Sequence, residues 1–285
     1  MHYGIMFGNV GFGTGPRARA LAEAAERHGF ESIWTVEHIV VPAGYASPYP
    51  YAEDGRMPGP DEMALPEPLA WLSFVAACTT QLKLGTGITV LPQRNPLVLA
   101  KEAATIDQLS GGRLLLGVGT GWLREEFAAL GVPFEQRGAR TDDHIRALRT
   151  LWGPDKASHR GRFVAFDDVY CRPRPVHGQV PIIVGGHSAR AARRAGELGD
   201  GFYPGSTDRD TLTAAVRDMR RAATDAGRDP DTIEITTLGS TDRAQLDWLQ
   251  ELGATRVLLE PPTFDARSID EGLAELAETL GIPPR

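Results

Sequence analysis

"LKLGTGITVLPQRNP", residues 82–96, begins as a strand and ends as the start of a helix. Leu82, Leu84, Ile88, Val90 and Leu91 are strand-forming, and "PLVLAKEAATIDQLSGG" (96–112) reads as a helix stopped by its glycines. "RLLLGVGTGW" (113–122) is a second strand without polar alternation, the pattern of a parallel sheet covered on both faces. Gly85, Thr86 and Gly87 interrupt the first of these strands where packing should be tightest. Glycine weakens a strand interior, so its presence there marks a bulge or the close approach of another body.

The same alternation extends in both directions. Towards the N-terminus lie a strand at 3–8, a helix opened by Pro16 and closed by Gly29, a strand at 32–38 and a helix at 67–80. Towards the C-terminus lie a helix at 141–152 and strands at 180–186, 200–206, 233–239 and 255–261, each followed by a helix. Eight such units in 285 residues predict an α/β fold, a (β/α)8 TIM barrel. A doubly wound open sheet is the alternative, but it carries a glycine-rich fingerprint directly after its first strand, which this chain lacks. No linker divides the chain, so residues 1–285 read as a single domain. The insertions after strand 2 (39–66) and after strand 4 (153–179) are too long for ordinary connections and read as lids or walls.

Apolar residues make up 42% and charged residues 24%, enough for a sizeable core. The net charge of −7 argues against nucleic acid or an anionic membrane as the main partner. No apolar run reaches the roughly 18 residues needed to span a bilayer, and no signal-like segment opens the chain. Cys78 and Cys171 are far apart and lack CxxC spacing, which suits a reducing cytoplasm.

In such a barrel the active site forms at the C-terminal ends of the strands. Five of the eight end in glycine-bearing segments: Phe7-Gly8-Asn9, Gly85-Thr86-Gly87, Gly117–Gly121 (with Gly119 and Thr120), Gly185-Gly186 and Gly205-Ser206. Together they imply a broad floor of bare backbone on which a flat ring could lie. "VGGHSARAARRA" (184–195) adds a glycine turn, His187 and a Ser188 N-cap, whose helix start could hold an anion. Glu37 and His38 form a titratable pair at the end of strand 2, pointing to opposite sides, so one of them faces the mouth. Asp107 and Glu102 lie on a helix and are expected to face outward or pair with arginine. No histidine pair has metal-binding spacing, and no nucleophile motif occurs, so no metal is expected and the chemistry falls to a bound cofactor.

Two stretches resemble the bacterial luciferase-like family: "LGTGITVLPQRNPLVLAKEAATIDQLSGGRLLLGVGTGWLREEFAALGVPFEQRGARTDDHIRALRTLW" (84–152) and "VPIIVGGHSARAARRAGELGDGFYP" (180–204). The resemblance runs along nearly the whole chain and is strongest to the subgroup that depends on the deazaflavin coenzyme F420. It implies a TIM-barrel oxidoreductase, homodimeric in many members. It also implies a non-prolyl cis bond at Gly87–Ile88, with Thr86, Gly87 and Ile88 behind the central ring. Glu37 and His38 would stand at the reactive edge, and Gly185, Gly186, Gly205 and Ser206 at the cofactor's phosphate. Where the family's sugar-phosphate dehydrogenases place a proton-donating glutamate, this chain has Trp122, which disfavours a phosphosugar and suits a more apolar small molecule. Tyr45 and Tyr49, within "GYASPYPY" (44–51), could form the opposite wall.

Three readings follow. The first is an F420-dependent oxidoreductase moving a hydride to or from a small organic substrate. The second is an FMN-dependent monooxygenase of the same fold, and the third a protein that binds a flavin-type ring without turnover.

Overall fold

The computed structural model describes residues 1–284. In chain order its elements are β1 (His2–Ile5), α1 (Gly15–Arg27), β2 (Ser32–Thr35), α2 (Pro68–Cys78), β3 (Lys83–Thr86), β4 (Thr89–Val90), α3 (Pro96–Ser110) and β5 (Leu114–Gly119). Then come α4 (Arg124–Ala129), α5 (Arg137–Leu151), β6 (Ala157–Arg160), β7 (Ala165–Val169), β8 (Ile182–Gly185) and α6 (Ala189–Leu198). The chain finishes with β9 (Gly201–Tyr203), α7 (Arg209–Asp225), β10 (Glu234–Leu238), α8 (Arg243–Leu252), β11 (Arg256–Leu259) and α9 (Ile269–Leu280).

All pairings in the main sheet are parallel, in the order β3-β2-β1-β11-β10-β9-β8-β5-β4, and a further β3–β5 pairing closes it. With β4 continuing β3, this is the closed eight-stranded barrel that the strand–helix count predicts. Its elements begin and end where local chemistry dictates. Asn95 caps α3 by accepting from Leu97 N at 2.9 Å, Pro96 occupies the first turn, and Gly111 ends the helix at φ 72°.

Two apolar layers hold the barrel. Met6, Trp34, Leu115, Ile183, Tyr203 and Leu258 fill its interior, while a larger cluster including Leu21, Leu72, Leu99, Leu148 and Phe202 seals the helices to the outer face. At the N-terminal end, Arg256 is buried and donates twice to Glu31, each bond at 2.8 Å, with Lys83 at 2.9 Å from the same carboxylate.

Two expectations are corrected here. Residues 153–179, read as a lid or wall, instead hold β6 and β7 as an antiparallel ribbon, and none of them lines the cavity at the barrel mouth. The ribbon's alternation is weak because it lies outside the barrel, with most of its side chains exposed. Asp107 does not face outward but is buried, and it accepts from Val176 N at 2.8 Å, fastening the segment after the ribbon to α3. No helix among the described residues is long and apolar enough to cross a membrane.

Candidate active site

The glycine-rich strand ends surround a cavity of about 830 Å³ at the C-terminal mouth of the barrel. That is within the size range of cofactor and substrate sites. Glycine removes side chains here, but much of the space is taken by the protein itself. A Cβ on Gly85 would lie 2.3 Å from the Trp34 indole, and one on Gly117 would lie 1.7 Å from the Thr86 carbonyl oxygen. Cβ atoms on Gly119 and Gly185 would meet Ile88 at 2.5 and 2.7 Å. The floor is therefore not the bare backbone expected from the glycine pattern. The Ile88 side chain lies over β5 and β8, and the Gly87–Ile88 peptide bond is cis. Phe7, in the left-handed region at φ 59°, lines the same cavity.

Glu37 and His38 diverge, as strand geometry requires. Glu37 is buried, and its carboxylate accepts from Val90 N at 2.6 Å and pairs with Arg94. Burial pushes its pKa upward against the pull of Arg94. Its oxygens are thus committed to tying the end of β2 to β4. His38 lines the cavity with Nδ1 at 3.1 Å from Glu126 and its ring edge-on to Trp122, centroids 5.7 Å apart. Asn9 secures the approach to this pair. Its side chain accepts from Val36 N at 3.0 Å and donates to the Val36 and Pro66 carbonyls, each at 2.9 Å.

Segment 39–66 contains no helix or strand and folds over the mouth, contributing Tyr49, Tyr51, Met57, Met63 and Leu65 to the cavity wall. Two adjacent glutamates of α4 fasten it. Glu125 accepts from Ala46 N at 2.8 Å and Ser47 N at 3.1 Å, and Glu126 accepts from Ile39 N at 2.6 Å. Hydrogen bonds from Ser47 and Ala46 hold the Glu125 pKa down at about 2. Tyr49 packs edge-on against Trp122 at 5.2 Å, and burial pushes its phenol up to about 12, so it stays a neutral donor.

Two helix starts also line the cavity. Gly186, at φ 118°, His187, Ser188 and Arg190 come from the start of α6, and Arg137 and Gly138 from that of α5. Ser188 Oγ accepts from Ala191 N at 3.2 Å, whereas α5 has no side-chain cap. Arg194 is committed to Asp142, but neither Arg137 nor Arg190 has a carboxylate partner among the described residues. Arg137 donates to the Gly121 carbonyl at 3.0 Å, and cations without carboxylate partners beside two positive helix ends give this part of the cavity the chemistry of an anion cradle. The Nδ1 of His187 is buried there without a hydrogen-bond partner.

Of the residues expected at the site, the structure gathers Phe7, Glu37, His38, Tyr49, Gly87, Ile88, Gly119, Thr120, Trp122, Gly185, Gly186, His187 and Ser188 around one cavity. Four lie elsewhere. Thr86 is buried and donates to the Gly117 carbonyl at 2.7 Å. Tyr45 is buried within the lid, supporting Trp122 edge-on at 5.4 Å. Gly205 makes room for the Tyr51 ring, 2.7 Å from where its Cβ would sit, and Ser206 Oγ accepts from Asp208 N at 3.2 Å in a turn. Glu126 and Arg137 are among the lining residues that the sequence did not point to, as are Met57, Met63 and Leu65 of the lid. Among the described residues, no cluster of three or more His, Cys, Asp or Glu side chains could hold a metal ion.

Comparison with known proteins fixes the lineage. Residues 5–241 match the family described as luciferase-like monooxygenase. The chain belongs to this luciferase-like family. Within it, the chain is 31% identical over 279 residues to uncharacterized protein Rv0953c of Mycobacterium tuberculosis, covering 96% of this chain and 95% of that one. It is 34% identical over 209 residues to an FMNH(2)-dependent dimethylsulfone monooxygenase of Pseudomonas putida, covering 72% of this chain and 53% of the relative. The coenzyme F420-dependent tetrahydromethanopterin reductase of Methanopyrus kandleri shares the fold, with a TM-score of 0.77, 17% identity and 98% of each chain covered. The proteins this chain is similar to thus include a user of reduced FMN by sequence and a user of F420 by fold.

Proposed function

We propose that this chain is an F420-dependent oxidoreductase that moves a hydride between the deazaflavin ring and a small, largely apolar organic molecule. The observation that carries this reading is the division of one cavity's lining into two chemistries. Arg137, Arg190 and the starts of α5 and α6 supply the cationic part, and His38, Trp122 and Tyr49 an aromatic part with one titratable group.

A flavin-type cofactor fits that division. Its phosphate-bearing tail would take the helix starts and arginines, and its ring would lie on Ile88 between them and His38. F420 carries more negative charge along its tail than FMN carries on its single phosphate. Two arginines without carboxylate partners suit the more anionic tail. Bound there, the deazaflavin ring accepts or donates a hydride. The chain's own part is to exclude water with the Tyr49–Met63 lid, to orient a substrate against Trp122, and to hold or move a proton at His38.

An FMN-dependent monooxygenase is the second reading, favoured by the similarity to the dimethylsulfone monooxygenase. Oxygen separates the two, because a deazaflavin has carbon where flavin has the nitrogen that supports reaction with oxygen. The purified protein, loaded with oxidised F420 and offered alcohols, or with reduced F420 and offered enones, should oxidise or reduce a panel member without consuming oxygen. Oxygen uptake coupled to product, seen with reduced FMN and not with reduced F420, would replace the first reading by the second.

A further inference from the structure

Glu126 receives three donors at once. Its Oε1 accepts from Ile39 N at 2.6 Å and from Val40 N at 3.3 Å, and its Oε2 lies 3.1 Å from His38 Nδ1. The carboxylate is 2% exposed and the imidazole 10%. A carboxylate only accepts hydrogen bonds, so the histidine nitrogen facing it must carry a proton. The other ring nitrogen, Nε2, has no partner among the described residues, and His38 lines the cavity. Trp122, edge-on at 86°, restricts rotation of the ring from the side.

We propose that Glu126 is a positioning residue that fixes neutral His38 as its Nδ1–H tautomer, so that the Nε2 lone pair is presented to the cavity as a proton acceptor. The chain builds this with one short segment. Trp122 ends the loop after β5, and four residues later α4 delivers Glu126, so the side chain that walls the imidazole and the one that orients it arrive together. The neighbouring Glu125 does different work, taking only lid donors at Ala46 and Ser47. What the free nitrogen does in turnover rests on the functional reading above; which nitrogen carries the proton does not.

Glu126→Gln separates orientation from folding. The amide oxygen can keep the bonds from Ile39 N and Val40 N, but the amide NH2 then faces Nδ1 and donates to it. The ring should switch to Nε2–H, turning the cavity-facing nitrogen from acceptor to donor. Two-bond 1H–15N correlation spectra of cofactor-free protein labelled with 15N-histidine, recorded at alkaline pH where imidazole is neutral, read the tautomer directly. His38→Asn identifies the signal, and backbone amide spectra establish that each variant is folded.

The wild type should show Nδ1–H, Glu126→Gln should show Nε2–H, and Glu125→Gln should keep Nδ1–H. A wild type in the Nε2–H form or in an even mixture would overturn the proposal, and so would a Glu126→Gln protein that keeps Nδ1–H. In the loaded enzyme, Glu126→Gln should lower kcat by roughly 10²- to 10⁴-fold with cofactor affinity retained. If neither F420 nor FMN binds while the tautomer behaves as stated, the functional reading fails and this one stands.

Discussion

Ile88 Cδ1 lies 2.5 Å from where a Cβ on Gly119 would sit, and Gly185 meets the same side chain at 2.7 Å. Two strands surrender their side chains so that one isoleucine can lie flat across the barrel mouth. Gly119→Ala should push Ile88 up into the cavity. Overpacking of this kind costs about 1–3 kcal/mol, so cofactor affinity should fall roughly tenfold or more while the barrel stays folded. Ile88→Ala in the same chain should recover most of the loss, because the two sites share one contact. Isothermal titration of the single and double variants checks this; additive losses would mean that Ile88 is not the element displaced.

The anion cradle is tested by charge. Arg190→Ala leaves the α6 cap intact and removes a cation that has no carboxylate partner among the described residues. A charge-assisted hydrogen bond is worth about 1.5–3 kcal/mol, so cofactor affinity should drop by roughly 10- to 100-fold. The difference between variant and wild type should narrow as salt rises. An affinity unchanged at low salt would move the cofactor's tail elsewhere.

The Glu31–Arg256 pair at the far end of the barrel makes stability depend on acid. Arg256 and Lys83 hold Glu31 down at about 2, from an ordinary 4.5, against the opposing effect of burial. A depressed carboxylate stabilises the fold above its unfolded pKa, and that contribution is lost as pH falls from about 4.5 to about 2. The linkage amounts to roughly 3 kcal/mol. Urea midpoints should therefore decline steeply through this window in the wild type. Glu31→Gln leaves Arg256 buried without its carboxylate partner, and should cost about 3–5 kcal/mol at neutral pH with a flatter acid limb. Parallel pH curves for the two proteins would show that Glu31 does not carry the dependence.

The barrel was legible because apolar strands and amphipathic helices repeat eight times with end signals such as Pro16 and Gly29. The β6–β7 ribbon was not, since it lies outside the barrel and few of its residues are buried. The glycines were read correctly as signs of close approach, but glycine does not name the approaching body. At Gly85 it is Trp34, and at Gly119 and Gly185 it is Ile88. Glu126 escaped notice because it stands 88 residues from His38 and looks, in sequence, like half of an ordinary acidic helix start. Only the closing of the barrel brings the end of β2 against the start of α4. Arg137 was hidden for the same reason, whereas Arg190 stands two residues after Ser188 and was obscured only by the solvated arginines around it.

In the proposed function this cavity holds a deazaflavin by its arginines and helix starts and works on a substrate beside His38, Trp122 and Tyr49. Paired fluorescence titrations of the cofactor-free protein, one with F420 and one with FMN, test it most directly. Micromolar or tighter binding of F420, with FMN clearly weaker, is the expected result. Tighter binding of FMN, or binding of neither, would contradict it.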